Sequence, residues 1–295
     1  GEVVNQDALT PLLEGAPDAL AGVIITPEQC DQWLRTFESE ALKRGMLLKE
    51  GGHENIPLAL GLDPADREAY KSGEKQLPEE IRPYLAEMNG KRELFCNDIY
   101  YTNLCMSQPK VRRMLVDRYI KQIQENLHLC MVVIGFADGY RNHCECENCR
   151  KLNPSDFQIM IANELDEELT ALGIDTKIGL STYVDMMFPP VREKIKNPDR
   201  FWLQFTPISR SYSASIKADT VLPEPLPYVR NAWTTPKSID QCVALFKARR
   251  TVKVPAYACE YHFWRAQFRD PGLMIISRRL YEDVRSLKLL DLDGY

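Results

Sequence analysis

At 295 residues, with net charge −5, 44% hydrophobic and 27% charged side chains, the chain has ordinary globular composition and enough apolar surface for a large core. Both charge signs are spread along it, and no basic stripe marks a nucleic-acid footprint. No apolar run approaches the ~18 residues of a membrane-spanning helix.

The first clear element is "TPEQCDQWLRTFESEALKRG" (26–45), a helix with Thr26 as cap, Pro27 at its first position and Gln29 completing a capping box. Cys30, Trp33, Leu34, Phe37 and Leu42 recur at helical spacing and predict one buried face. A short strand (46–52) follows. Residues 53–93 are polar, proline-bearing and irregular, with a short helix near 78–88. Residues 94–106 carry strand character, and 107–127 read as a helix capped by Ser107. "HLCMVVIGFAD" (128–138) is the continuous apolar run of a strand buried on both faces. A helix (155–173, Ser155 and Gln158 forming a second capping box), a strand (176–184), a strand (200–208), a helix (236–250), a strand (252–263) and a helix (272–290) complete the order. "DLDGY" (291–295) reads as the start of one more strand. Asp166, Glu167 and Glu168 read as a solvated helix back, "KARR" (247–250) as a solvated helix end, and Trp202 as core.

Alternating strands and helices imply a parallel sheet with right-handed crossovers. No G-x-G-x-x-G or phosphate loop supports an open doubly wound sheet, so the expected fold is α/β, a (β/α)8 TIM-type barrel forming a single domain over 1–295. Its first strand is either absent from this chain or supplied by "ALAGVII" (19–25).

Such barrels work at the C-terminal ends of their strands. That rule selects His53, Tyr100, Asp138, Arg141, Tyr183, Arg210, Glu260, Tyr261 and Trp264. Carboxylates, aromatic rings and hydrogen-bonding groups together suit a sugar, whose apolar face stacks on rings while two carboxylates divide acid and nucleophile or base roles. Asp138 is the candidate general acid and Glu260 the candidate nucleophile or base. His53, Tyr100, Arg141, Tyr183, Arg210, Tyr261 and Trp264 are candidate substrate contacts, and Arg210 is placed to pair with an acidic sugar. Each has a plainer reading. Asp138-Gly139 also suits a tight turn, Glu260 an ion pair, and His53 a turn after two glycines.

"HCECENCR" (143–150) sets Cys144, Cys146 and Cys149 within six positions. Nine cysteines cannot all pair within the chain. A Cys146–Cys149 disulfide strands a third sulfur, and redox C-x-x-C pairs sit at helix N-termini, whereas the next helix starts near 155. A metal needs converging soft ligands. Cys105 could complete four thiolates, with His143 as the alternative, making a closed structural zinc site. Metal, disulfide and free thiols all stay open.

"FADGYRNHCECENCR" resembles a block in uncharacterised, largely bacterial glycoside-hydrolase-like barrels, where a strand ends in Asp-Gly and a C-x-C-x-x-C-R loop follows. These are distant relatives of α-glucuronidases and hexosaminidases. "GGHEN" (51–55), "NGKRE" (89–93), "NLCMSQPKVRR" (103–113) and "CEYHFW" (259–264) agree, and the resemblance spans roughly 28–295. It implies a glycosidase acting on an oligo- or polysaccharide, with Asp138 at the fourth strand end and His53 and Glu260 at the second and seventh. The apolar lead-in "FAD" departs from the family's more polar pattern. The alternative from another class is a non-catalytic carbohydrate-binding barrel with a structural metal. No organic cofactor is expected, and further domains are compatible with the sequence. Family habit suggests a secreted or periplasmic protein, whereas unpaired cysteines suggest a reducing compartment.

Overall fold

The computed structural model describes residues 26–217, 220–232, 234–250, 253–263, 270 and 272–294; the candidate first strand 19–25 and Trp264 lie outside them. Helix α1 (Pro27–Lys43) starts as its sequence dictates: the Gln29 N–H donates to Thr26 Oγ1 and the Thr26 N–H to Gln29 Oε1, closing the capping box. Strand β1 (Leu48–Gly51) follows. The irregular region contains α2 (Asn55–Ala59), α3 (Arg67–Ser72) and an antiparallel hairpin, β2 (Glu87–Met88) and β3 (Lys91–Arg92). Then come α4 (Pro109–Glu125), β4 (Leu129–Ile134), α5 (Pro154–Ala171), β5 (Lys177–Tyr183), β6 (Phe201–Thr206), α6 (Ile239–Arg249), β7 (Ala256–Ala258) and α7 (Met274–Leu287).

The main sheet is wholly parallel, in the order β1-β4-β5-β6-β7. Each strand is added on the same side as the last, without the reversal of a doubly wound sheet. The chain's end continues the series: Gly294 bridges Tyr257 in parallel and its carbonyl accepts from the Ala258 N–H. The sheet curls strongly, because Lys49 on β1 lies over the Tyr257 ring on β7, with Nζ 4.2 Å from the centroid.

Alternation assigns the two faces. Ile178, Leu180, Phe201, Leu203 and Phe205 face outward and are fully buried with Ile161, Leu165, Leu245 and Phe246 of the surrounding helices. The inner face is more polar, with Lys49, Ser181, Tyr183, Gln204 and Thr206 lining a cleft. Gly51 has no room for a side chain, since a Cβ there meets Val133 Cβ at 2.7 Å.

Several expectations fail for identifiable reasons. Residues 94–106 are not a strand. Buried Asp98 accepts from the Tyr100 N–H and ion-pairs with Arg67, Thr102 Oγ1 donates to the Asp98 carbonyl, and the Phe95 N–H donates to Thr102. These local bonds outcompete a sheet ladder. Only Leu104 is paired, antiparallel to Leu85, outside the main sheet. Ser107 does not cap α4, whose N-cap is Gln108. The α5 capping box is Asn153 with Asp156 in place of Ser155 with Gln158, because Pro154 takes the first helical site. Trp33 and Phe37 are exposed, so α1 does not bury the face its spacing suggests, and Trp202 is only half-buried. Asp166 is buried against Arg200, at 2.9 Å, and Arg249 is buried beside Gln158. Among the described residues no helix is long and apolar enough to cross a membrane.

Candidate functional site

The C-terminal ends of the strands surround a cleft of about 400 Å³. His53 reaches it two residues after β1, Tyr183 ends β5, Thr206 ends β6, and Cys259 and Tyr261 follow β7. Asp138 stands at its rim, four residues beyond β4. Its N–H donates to the Tyr100 carbonyl at 2.8 Å, and Gly139 turns the chain at φ +83°. Two buried amides hold this turn. Asn142 Nδ2 donates to the carbonyls of Asp138 and Tyr101, and Asn103 donates to Asn142 while accepting from the Ala137 N–H.

One carboxylate oxygen of Asp138 gathers three groups. Oδ1 accepts from the Gly139 N–H at 2.7 Å and from the Tyr183 hydroxyl at 3.1 Å, and lies 3.6 Å from His53 Nε2. His53 Nδ1 is 2.8 Å from the Phe136 carbonyl, which can only accept. That contact puts a proton on Nδ1 and turns Nε2 toward Asp138. Burial, then the charge of Asp138, pushes the Tyr183 phenol well above its usual range, so it stays a donor.

Glu260 is elsewhere. Cys259 and Tyr261 line the cleft, and Glu260 between them turns to the opposite face. Its carboxylate meets Arg210 at 2.7 Å and the Tyr212 hydroxyl at 3.0 Å, with 1% of the side chain exposed. Arg210 also pairs with Asp283 at 2.8 Å, and His262 Nε2 lies 2.9 Å from the same Asp283 oxygen. Burial raises the Glu260 pKa against the opposing charge of Arg210. Burial also favours a raised Asp283, but the His262 hydrogen bond and Arg210 outweigh it and hold Asp283 below its usual range. Glu260 and Arg210 thus form a buried ionic cluster, and neither lines the cleft.

Tyr100 packs on Arg67, whose guanidinium lies 4.6 Å from the ring centroid, and Arg141 Nε donates to the Asn231 carbonyl at 3.0 Å. The structure therefore gathers His53, Asp138, Tyr183 and Tyr261 around the cleft. It does not bring Tyr100, Arg141, Arg210 or Glu260 to the lining. Sequence reasoning misses Lys49, Ser181, Gln204 and Thr206, since strand-end logic ignores inward positions deeper in the sheet. The i, i+2 spacing of Ser181 with Tyr183 and of Gln204 with Thr206 is the available signal.

Beside the rim, Cys105, Cys144, Cys146 and Cys149 converge, with all four sulfurs within 4.8 Å of one another. Cys105 Sγ is 3.6 Å from Cys146 Sγ and 4.0 Å from Cys149 Sγ. A tetrahedral thiolate site with Zn–S of about 2.3 Å needs S···S separations of about 3.8 Å. The four cysteines could hold a metal ion, and none of them forms a disulfide. Ser107 Oγ, 3.5 Å from Cys105 Sγ, and the Glu87 N–H, 3.2 Å from Cys144 Sγ, supply hydrogen bonds to the sulfurs. His143, the alternative ligand, instead faces Asp185 at 3.4 Å.

Residues 69–234, more than half of the chain, match DUF4838, a domain family of unknown function. No curated protein and no solved structure matches the chain.

Proposed function

We propose that this chain, which belongs to the DUF4838 family, binds a saccharide in the strand-end cleft of a glycoside-hydrolase-like (β/α)8 barrel, and that Asp138 transfers the proton in cleavage of a glycosidic bond. The observation that carries this reading is the setting of Asp138: a partly exposed carboxylate at the rim, one oxygen fixed by Gly139 and Tyr183, with His53 alongside. Tyr183, Tyr261 and His53 offer ring faces and hydrogen bonds around it, as sugar recognition requires. The singly wound, curled sheet supports the barrel.

The geometry gives Glu260 no part in this chemistry. Among the described residues lining the cleft the one acid is Glu50, and it turns its carboxylate to Gln122 and Asn126. That observation favours a second reading, a barrel that binds carbohydrate without cleaving it. Zinc is the proposed metal of the four thiolates. Four sulfur ligands leave no open position, so it would serve as a scaffold for the loop that follows Asp138.

A screen of aryl glycosides and neutral and acidic oligosaccharides with wild type and Asp138→Asn tests both readings. Hydrolysis lost by about 10²–10⁴-fold in Asp138→Asn, with ligand still bound, is the expected result. Binding without turnover in wild type selects the second reading. No binding of any saccharide overturns both. Elemental analysis of the purified protein is expected to give one zinc per chain.

A further inference from the structure

We propose that Lys49, at the floor of the cleft, recognises an anionic group on the saccharide that enters it. The inference rests on the saccharide reading of the cleft and deepens it to a substrate class: carbohydrate bearing a carboxylate or a sulfate. Among the described residues lining the cleft, Lys49 is the one lysine or arginine. Among the described residues it has no counter-ion. Its sequence neighbour Glu50 directs its carboxylate away, to Gln122 and Asn126, and the buried acids Glu260 and Asp98 are held by Arg210 and Arg67. What holds the Lys49 ammonium is the Tyr257 ring, 4.2 Å from Nζ, a contact that fixes position without neutralising charge.

The cleft walls also remove part of its water, and this burial lowers its pKa from the usual lysine value, opposed by the neighbouring Cys259. A partly desolvated cation with no carboxylate paired to it among the described residues is a cost that an anionic ligand removes. Neutral hydrogen-bonding groups stand next to it. Gln204 Oε1 accepts from the Tyr257 hydroxyl at 2.7 Å and Gln204 Nε2 lies 3.5 Å from Ser181 Oγ, so hydroxyls of a sugar find partners at the same depth. Arg210, the residue that sequence logic offers for an acidic sugar, is sealed between Glu260 and Asp283. Lys49 at the floor and Asp138 at the rim set a direction: the charged group enters first.

The test is calorimetric binding in an Asp138→Asn background, which removes turnover. The probes are an oligosaccharide ending in a uronate, its sulfated counterpart and its neutral counterpart of the same linkage. At least one anionic probe is expected to bind about ten- to a hundredfold more tightly than the neutral one. Lys49→Gln is expected to abolish that preference by lowering anionic affinity to about that of the neutral probe, with a cooperative urea-unfolding transition showing that the variant is folded; Lys49→Arg is expected to keep most of it. Which anionic probe is preferred tells carboxylate from sulfate. Equal affinities for charged and neutral probes, or a preference that survives Lys49→Gln, overturn this proposal alone. Failure of every probe to bind overturns it together with the saccharide reading.

Discussion

Arg210 illustrates how one buried charge organises its surroundings. It is shared by Glu260 and Asp283, and these two carboxylates shift in opposite directions. Removing the cation leaves two buried acids uncompensated, so Arg210→Ala is expected to cost about 3–5 kcal/mol of stability, read from urea unfolding. The pH dependence has a definite sign. Asp283 is held below its ordinary pKa of 3.8, so its contribution is present above that value and is lost as pH falls through the depressed one. Glu260 is raised above its ordinary 4.5, so its contribution is full below that value and is lost as pH climbs through the raised one. Asp283→Asn should therefore be less stable than wild type at neutral pH, with the gap closing below pH 3.8. A gap that is constant with pH would show that Asp283 is not ionised in the folded cluster. Asp138, His53 and Tyr183 are legible in the sequence because each follows or ends a strand. Glu260 is not, because β7 spans only Ala256–Ala258 and so short a strand does not reveal which of 259, 260 and 261 turns inward.

Elements outside the sheet are tied together by the cysteine loop. Arg230 donates to the carbonyls of Cys144, Cys149 and Leu152. Asn231 accepts from the His143 N–H and donates to the His143 carbonyl and to Glu145, while its own carbonyl receives Arg141. The segment around 230–231 thus reads the shape of the loop, and a metal in the four thiolates would fix that shape. Chelation, or Cys146→Ser, is expected to speed amide exchange at 143–152 and at 230–232 together, with β5 and β6 unchanged. Exchange that rises in the cysteine loop alone would separate the two segments. At this scale the helices are readable because capping boxes and prolines are local signals. The segment 94–106 is not, because its pattern is that of a strand, while Asp98 and Thr102 direct their hydrogen bonds to nearby backbone.

The molecule as a whole depends on how tightly the sheet curls. Gly51 and Gly179 leave the inner face around Val133 free of side chains, with Cβ positions 2.7 Å from Val133 Cβ and 3.0 Å from Val133 Cγ2 respectively. Gly51→Val is expected to force β1 away from β4 at a cost of about 1–3 kcal/mol and to shift His53, two residues on, away from Asp138. Denaturation together with saccharide binding measures both effects; unchanged stability would mean that β1 is not packed against Val133. The sheet's two end helices keep apolar side chains in solvent, Trp33 and Phe37 on α1, Met274 and Ile275 on α7.

The sequence by itself determined the alternation of strands and helices, the rim position of Asp138 and the cluster of Cys144, Cys146 and Cys149, because periodicity, caps and close cysteine spacing are written over a few residues. Tertiary structure alone decided that Glu260 and Arg210 neutralise each other away from the cleft, that Cys105 meets a loop some forty positions further on, and that Lys49 faces Tyr257. Those facts depend on the curl of the sheet and on which face a side chain takes at the end of a short strand, and both are fixed by contacts between residues far apart in the chain.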